Sequence, residues 1–168
     1  LSGFTDENGT NYAAGIGVVV QNGSAAQTIA ASMALGSSQT WEIDNSPANA
    51  LTVSGSIGDG GLGYSLTKTG TGTLILSGAD TYTGGTNVDG GTLVIAGDET
   101  GLGSAINVGN GVLQLVAGSS LATTSMITLG SGATSVLLVV GDAGGIDNAI
   151  IGGLTTSGTN SADDAVVG

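Results

Sequence analysis

Apolar and polar positions alternate in short bursts along this chain, as in Trp41-Glu42-Ile43 and Leu113-Gln114-Leu115. A period of two held over three to five residues predicts short β-strands with one face in a core. Gly, Asn, Asp or Ser cuts each burst, and glycines such as Gly90, Gly91, Gly109 and Gly111 are expected to supply positive-φ corners. Two stretches are near copies. Asn87, Val88, Gly91 and Leu93 recur as Asn107, Val108, Gly111 and Leu113, a shift of 107 − 87 = 20.

More copies follow at drifting intervals. Gly72-Thr73-Leu74-Ile75-Leu76 precedes Gly91-Thr92-Leu93-Val94-Ile95 by 91 − 72 = 19, and Leu51-Thr52-Val53 precedes Leu74-Ile75-Leu76 by 74 − 51 = 23. Thr128-Leu129 follows Asn107-Val108 by 21, and extra residues then precede Val136-Leu137-Leu138-Val139-Val140. A single unit of this kind has too few apolar side chains to stand alone. Stacked units extend a common apolar column and pair their backbones above and below. The predicted fold is therefore all-β: a parallel β-helix, or β-solenoid, of about eight right-handed coils of roughly 20 residues each. A β-sandwich also has short strands between turns, but it needs no register of like residues and usually carries more aromatic side chains.

Composition agrees with strands and narrows the chemistry. Among 168 residues there are 33 glycines and one proline, with no cysteine or histidine, and the apolar residues are mostly Val, Ile and Leu. Thirteen acids against a single basic residue, Lys68, give a formal charge of −12, the opposite of what a nucleic-acid binder needs. The acids are read as keeping a repetitive β protein soluble and its sheet edges unpaired with strangers. Without Cys there is no disulfide framework or thiolate metal site. No apolar run reaches the ~18 residues of a membrane-spanning helix, so no membrane insertion by this segment is expected. The chain starts at Leu1 rather than Met and reads as one solenoid segment, residues 1–168, of a larger protein.

Catalytic motifs fail one by one. The absence of His and Cys removes the serine and cysteine triads. Asp98 with Glu99, or Asp163 with Asp164, would offer a carboxylate pair for glycoside hydrolysis, but neighbours on a strand face opposite ways, and solvated turn acids are the better reading. Gly58-Asp59-Gly60-Gly61-Leu62-Gly63 fits G-x-G-x-x-G yet runs into the strand-like Tyr64-Ser65-Leu66-Thr67, with no helix to hold a pyrophosphate. No enzyme and no resident cofactor is expected. Calcium is the one ion considered, and its weak candidate ligands are Asp89, Asp98 and Glu99.

The stretch Leu66 to Gly97, LTKTGTGTLILSGADTYTGGTNVDGGTLVIAG, resembles the passenger-associated (autotransporter-associated) β-strand repeat. The pattern L-x-K-x-G-x-G-T-L-x-L-x-G-x-N-T-Y-T-G-G-T-x-V-x-x-G-T-L is met by Lys68, Gly72, Thr73, Leu74, Tyr82, Gly84, Gly85, Val88, Gly91 and Leu93, among others. Asp80 stands where the pattern has Asn. The resemblance implies a β-helical stalk in a large secreted or surface bacterial protein, where the repeat aids export and folding. Within that pattern Tyr82 is expected to pack over a coil edge rather than serve as a glycan platform. Lys68 is expected to pair at the surface with an acid or to donate to a carbonyl at a corner.

The alternation leaves a remainder. If Leu74, Leu76, Leu93 and Ile95 face inward, Ile75 and Val94 point out, and Leu138 is expected to join them in a lateral apolar strip. Its partners would be copies of the same protein or neighbouring segments, meeting side by side or end to end. The leading expectation is thus an extracellular structural segment. The alternatives are an adhesin module that recognises a glycan or host protein through loops such as 98–104, and a subunit that stacks end to end into filaments.

Overall fold

A computed structural model describes residues 4–5, 11–12, 14–99, 105–116, 118–130, 136–140, 153–156 and 165–167. Among them are twenty strands, numbered in chain order, and no helix. The short pair β1 (Phe4–Thr5) and β2 (Asn11–Tyr12) is antiparallel and stands apart from the rest.

Every other pairing is parallel. The first sheet stacks β3 (Ile16–Val20), β6 (Gln39–Ile43), β9 (Leu66–Thr69), β11 (Thr86–Val88), β14 (Ala105–Val108), β17 (Met126–Leu129) and β19 (Gly153–Thr156). The second stacks β4 (Gln27–Ile29), β7 (Leu51–Val53), β10 (Thr73–Leu76), β12 (Thr92–Ile95), β15 (Gly111–Leu115), β18 (Val136–Val140) and β20 (Ala165–Val167). A third side holds two separate two-stranded pieces, β5 (Met33–Ala34) with β8 (Ile57–Gly58) and β13 (Asp98–Glu99) with β16 (Ser120–Leu121). The chain thus passes from first sheet to second to third side and back. From β3 onward, among the described residues, strands that follow one another in the chain do not pair, while strands one winding apart in the two long sheets do, which is a β-solenoid. Among the described residues each long sheet has seven strands, slightly fewer than the about eight coils expected; coil one begins at β3 and coil seven at β19. At ~4.8 Å per strand the stack rises about 29 Å.

The repeated stretch is the register itself. Asn87 pairs with Asn107 and Val88 with Val108; Leu93 pairs with Leu74 on one side and Leu113 on the other. Inward side chains therefore form columns. Leu51, Leu74, Leu93, Leu113 and Leu138 make one column on the second sheet, with every member buried. Trp41, Lys68, Val88, Val108 and Leu129 make another on the first sheet. Burial at 20–33 cal/mol per Å2 rewards each leucine fully only when a leucine lies above and below it, so the core is cooperative along the axis.

Leu138 does not belong to an outward strip. It pairs with Leu113 and is fully buried. The run Val136–Val140 is apolar throughout, so it carries no alternation from which to read its facing; a shift of one residue would turn the whole strand over. The outward position in that coil is Val139, opposite Gln114. Ile75 and Val94 do occupy outward register positions beside Thr52 and Gln114, although Val94 is only 9% exposed.

Corners fix which residues the chain tolerates. Gly91 and Gly111 have φ of 61° and 115°, and a Cβ on either would collide with a carbonyl oxygen of the coil before, that of Gly72 or Gly91. Gly90 and Gly109 have no positive φ. The corner between the first and second sheets takes left-handed backbone at Gly23, Gly70, Gly91, Gly111 and Gly130 but at no residue of coil two, and Gly90 is small for a different reason: its Cβ would press on the Gly70 carbonyl at 2.9 Å.

Candidate functional site

Among the described residues most of the polar side chains inside the solenoid, and all the charged ones, lie in coils two to four, where a wall of branched aliphatics is interrupted. Lys68 sits on β9 between Trp41 and Val88 and is fully buried, not on the surface. Its Nζ donates to the carbonyls of Thr69 (3.2 Å), Gly70 (3.2 Å) and Gly90 (2.9 Å). The last of these lies in the next coil, so the ammonium ties two corners together. Burial lowers the Lys68 pKa to about 8, and the negative charge of Asp44 acts against that shift. Asp44 itself accepts the Thr71 N–H at 3.1 Å.

Tyr82 is fully buried, and its hydroxyl lies 2.7 Å from the Thr86 hydroxyl. A buried ring cannot stack on a glycan. Thr86 points into the core from β11, in the column of Leu66 and Ile106, and the phenol supplies the partner that a buried hydroxyl requires. Burial also raises the Tyr82 pKa, so the phenol stays neutral. Other residues of the repeat hold corners: the Gly72 N–H donates to the Ile43 carbonyl at 2.7 Å, the Gly84 N–H to the Tyr64 carbonyl at 3.1 Å, and the Gly85 carbonyl accepts from Leu66 at 3.1 Å.

Two carboxyl groups share this interior. Asp80 is 1% exposed and Glu99 0%. The Ile57 N–H donates to Asp80 Oδ1 at 2.7 Å, and the Asp80 N–H donates to Glu99 Oε2 at 2.9 Å. Their other oxygens, Asp80 Oδ2 and Glu99 Oε1, are buried without a hydrogen-bond partner. Burial pushes the Asp80 carboxyl up to about 6, against the pull of the Ile57 bond. Burial, and then the charge of Asp80, push Glu99 up to about 8.

Asp59 is the opposite case. Burial alone would raise its pKa, but hydrogen bonds from Thr83 N, Gly61 N, Thr83 Oγ1 and Tyr64 N hold its carboxyl well below the usual carboxylate range. The G-x-G-x-x-G stretch is thus a nest of amides already filled by its own anion: Asp59 Oδ1 takes Gly61 at 2.9 Å, and Oδ2 takes Tyr64 at 2.9 Å and Thr83 at 3.1 Å.

The calcium candidates separate. Asp98 and Glu99 are adjacent on β13 and face opposite ways, Asp98 outward with its Oδ1 accepting from Ser120 at 2.7 Å. Asp89 is exposed at the corner between the first and second sheets. Among the described residues no three acidic side chains form a metal-sized cluster. Asp163, Asp164 and the loop 100–104 lie outside the described residues. The carboxyl pair that does form, Asp80 with Glu99, is closed to any polysaccharide.

Lys68, Tyr82, Thr86 and Asp80 all fall within one stretch of about one and a half coils, and each serves a join between coils. That stretch matches a known family. Residues 66–95 match the model of the passenger-associated-transport-repeat. The repeat begins at the first residue of β9 and ends at the last of β12, so it spans two strands of each long sheet. A β-solenoid that carries this repeat fits a passenger β-helix repeat protein. No curated protein and no solved structure matches the chain.

Sequence reasoning missed the Asp80–Glu99 pairing, although the register held a signal for it. The shift of 19 that relates Leu74 to Leu93 also relates Asp80 to Glu99, and the shift of 23 that relates Leu51 to Leu74 relates Ile57 to Asp80. Glu99 in turn pairs with Leu121, and Ile57 with Met33. The two acids therefore occupy the middle of an otherwise apolar column.

Proposed function

We propose that this chain is a structural segment of an extracellular, autotransporter-like bacterial passenger. It is a length of stalk or fibre, and its transport repeat helps the emerging chain to fold. The observation that carries this reading is the interior placement of the repeat's polar residues. Lys68 bonds to the Gly90 carbonyl of the next coil, and Tyr82 bonds to Thr86 across the passage from coil three to coil four. A repeat built this way recognises the neighbouring winding of its own chain rather than a ligand. A solenoid can also grow one coil at a time on a finished edge. Such growth suits a chain that leaves a membrane pore in extended form.

The test is display of a passenger that carries this segment, in three forms: unaltered, with residues 66–95 deleted, and with Leu74 and Leu93 both changed to Asp. Both altered passengers should reach the surface in lower amounts and be degraded faster by a non-specific protease. Equal display and equal resistance in all three would refute the reading.

A further inference from the structure

Among the described residues, strand pairing on the third side of the solenoid lapses between β8 and β13, and two acids stand in the gap. β5 pairs with β8 and β13 with β16, but no strand connects the two pieces, and residues 77–85 between them form none. The Thr81 N–H still donates to the Ile57 carbonyl at 2.7 Å. The next two amides turn to side chains, Ile57 N–H to Asp80 and Asp80 N–H to Glu99. Carboxyl groups thus splice coil two to coil three and coil three to coil four.

Each splice leaves a buried oxygen without a partner. Were both acids ionised, two charges and two unmet acceptors would sit in the dry interior, an arrangement that costs several kcal/mol per ion. One proton on the pair removes one of the two buried charges and so most of that cost. The surrounding groups give no other relief. The Tyr82 phenol is engaged with Thr86, Asp98 is exposed and bonded to Ser120, and Asp59 is an anion in its own amide nest. The chain's one basic side chain, Lys68, is held by the carbonyls of Thr69, Gly70 and Gly90.

We propose that Asp80 and Glu99 form a proton-held latch between adjacent coils, closed while the pair carries a proton and released when both carboxyls ionise. The upward displacement of both acids by burial has the matching sense. Unfolded, these groups lose their protons near pH 4; folded, they keep them to about 6 and 8. Stability contributed by the latch is complete below pH ~4 and falls as pH rises through that window, by up to about tenfold in the unfolding constant per pH unit for each retained proton. The repeat pattern has asparagine at position 80. Asparagine would keep the bond to Ile57 through its Oδ1 and offer a permanent donor from its Nδ2, with no response to pH. The aspartate in this chain makes the splice switchable.

The test is a carbon-detected NMR titration of the carboxyl groups in the 168-residue chain, with hydrogen exchange of the Ile57 and Asp80 amides followed from pH 5 to 9. Both carboxyls should titrate above the ordinary range near 4, and protection of those two amides should fall with pH faster than that of Val53. Glu99→Gln keeps an acceptor for the Asp80 N–H and removes the acid whose pKa burial pushes up to about 8; it should remove most of the loss of stability between pH 6 and 8, a loss of up to about tenfold in the unfolding constant per pH unit. Titration of both groups near pH 4, or a Glu99→Gln profile parallel to that of the unaltered chain, would overturn the latch. The titration decides the matter on its own if the variant does not fold.

Discussion

Asn107 donates its side-chain amide to the Oδ1 of Asn87 at 3.1 Å, one rung away on the outer face of the first sheet. Asn87 passes the chain on to Thr67 Oγ1 at 3.3 Å, and two coils further along Thr155 meets Thr128 at 3.2 Å. The residues that open the repeated stretch are thus the uprights of a polar ladder. Asn87→Ala removes two of its part-buried bonds and should cost about 1–3 kcal/mol, at about 0.5–1.5 kcal/mol for each. The check is the denaturant midpoint at unchanged m-value. Thr155→Ala, at the end of the ladder, should cost less.

Tyr82 and Thr86 satisfy each other inside the core, so removing one hydroxyl strands the other. Tyr82→Phe and Thr86→Val should each destabilise by about 1–3 kcal/mol. The double variant should recover part of that loss, giving a coupling of at least about 1 kcal/mol in the cycle. Strict additivity would mean that the bond is not formed in solution.

The corner glycines divide into those bound by contact and those bound by φ alone. Gly111 combines φ of 115° with a carbonyl of the previous coil in the path of any Cβ, whereas Gly23, with φ of 86°, has open space around it. Gly111→Ala should cost on the order of 3 kcal/mol, and Gly23→Ala about 1 kcal/mol. Thermal unfolding of the two variants measures the difference. It isolates the effect of stacking from that of backbone conformation.

Two further groups give pH responses of predictable sign. Burial depresses the Lys68 pKa to about 8, so between pH 8 and 10.5 the unfolded chain holds a proton that the folded chain has released. Stability from this group is therefore lower below pH 8 and recovers as pH rises to 10.5, opposite in sense to the latch. Lys68→Met should abolish that recovery in denaturation measured at pH 8 and at pH 10. Asp59, held below the usual carboxylate range by its amide nest, stabilises above pH 4, and that contribution disappears as pH falls further. Asp59→Asn should lower stability at pH 7 and shift the acid-unfolding midpoint little below that of its own neutral-pH baseline.

The winding was legible in the sequence because its register is written in like residues. Leu51, Leu74 and Leu93 recur at shifts of 23 and 19, and those shifts are the strand pairings. Facing was legible wherever polar residues alternated with apolar ones, as at Trp41-Glu42-Ile43, and illegible in the unbroken apolar run that contains Leu138. The interior polar cluster was harder to see, since Lys, Asp and Glu are almost always surface residues and nothing local in the sequence marks Lys68, Asp80 or Glu99 as exceptions. Their burial follows from register equivalence with Trp41, Ile57 and Leu121, which becomes visible only when the column rather than the motif is the unit of reading.

Lys68 is the only basic side chain in 168 residues, and it is locked inside coil three. Trypsin must draw a basic side chain into its own specificity pocket before it can cut, so hydrolysis after Lys68 requires that this winding first peel away from its neighbours. The chain therefore carries an intrinsic gauge of unwinding. Two fragments, 1–68 and 69–168, report each opening event, and their rate of appearance times the loosening of the solenoid without any label or engineered probe.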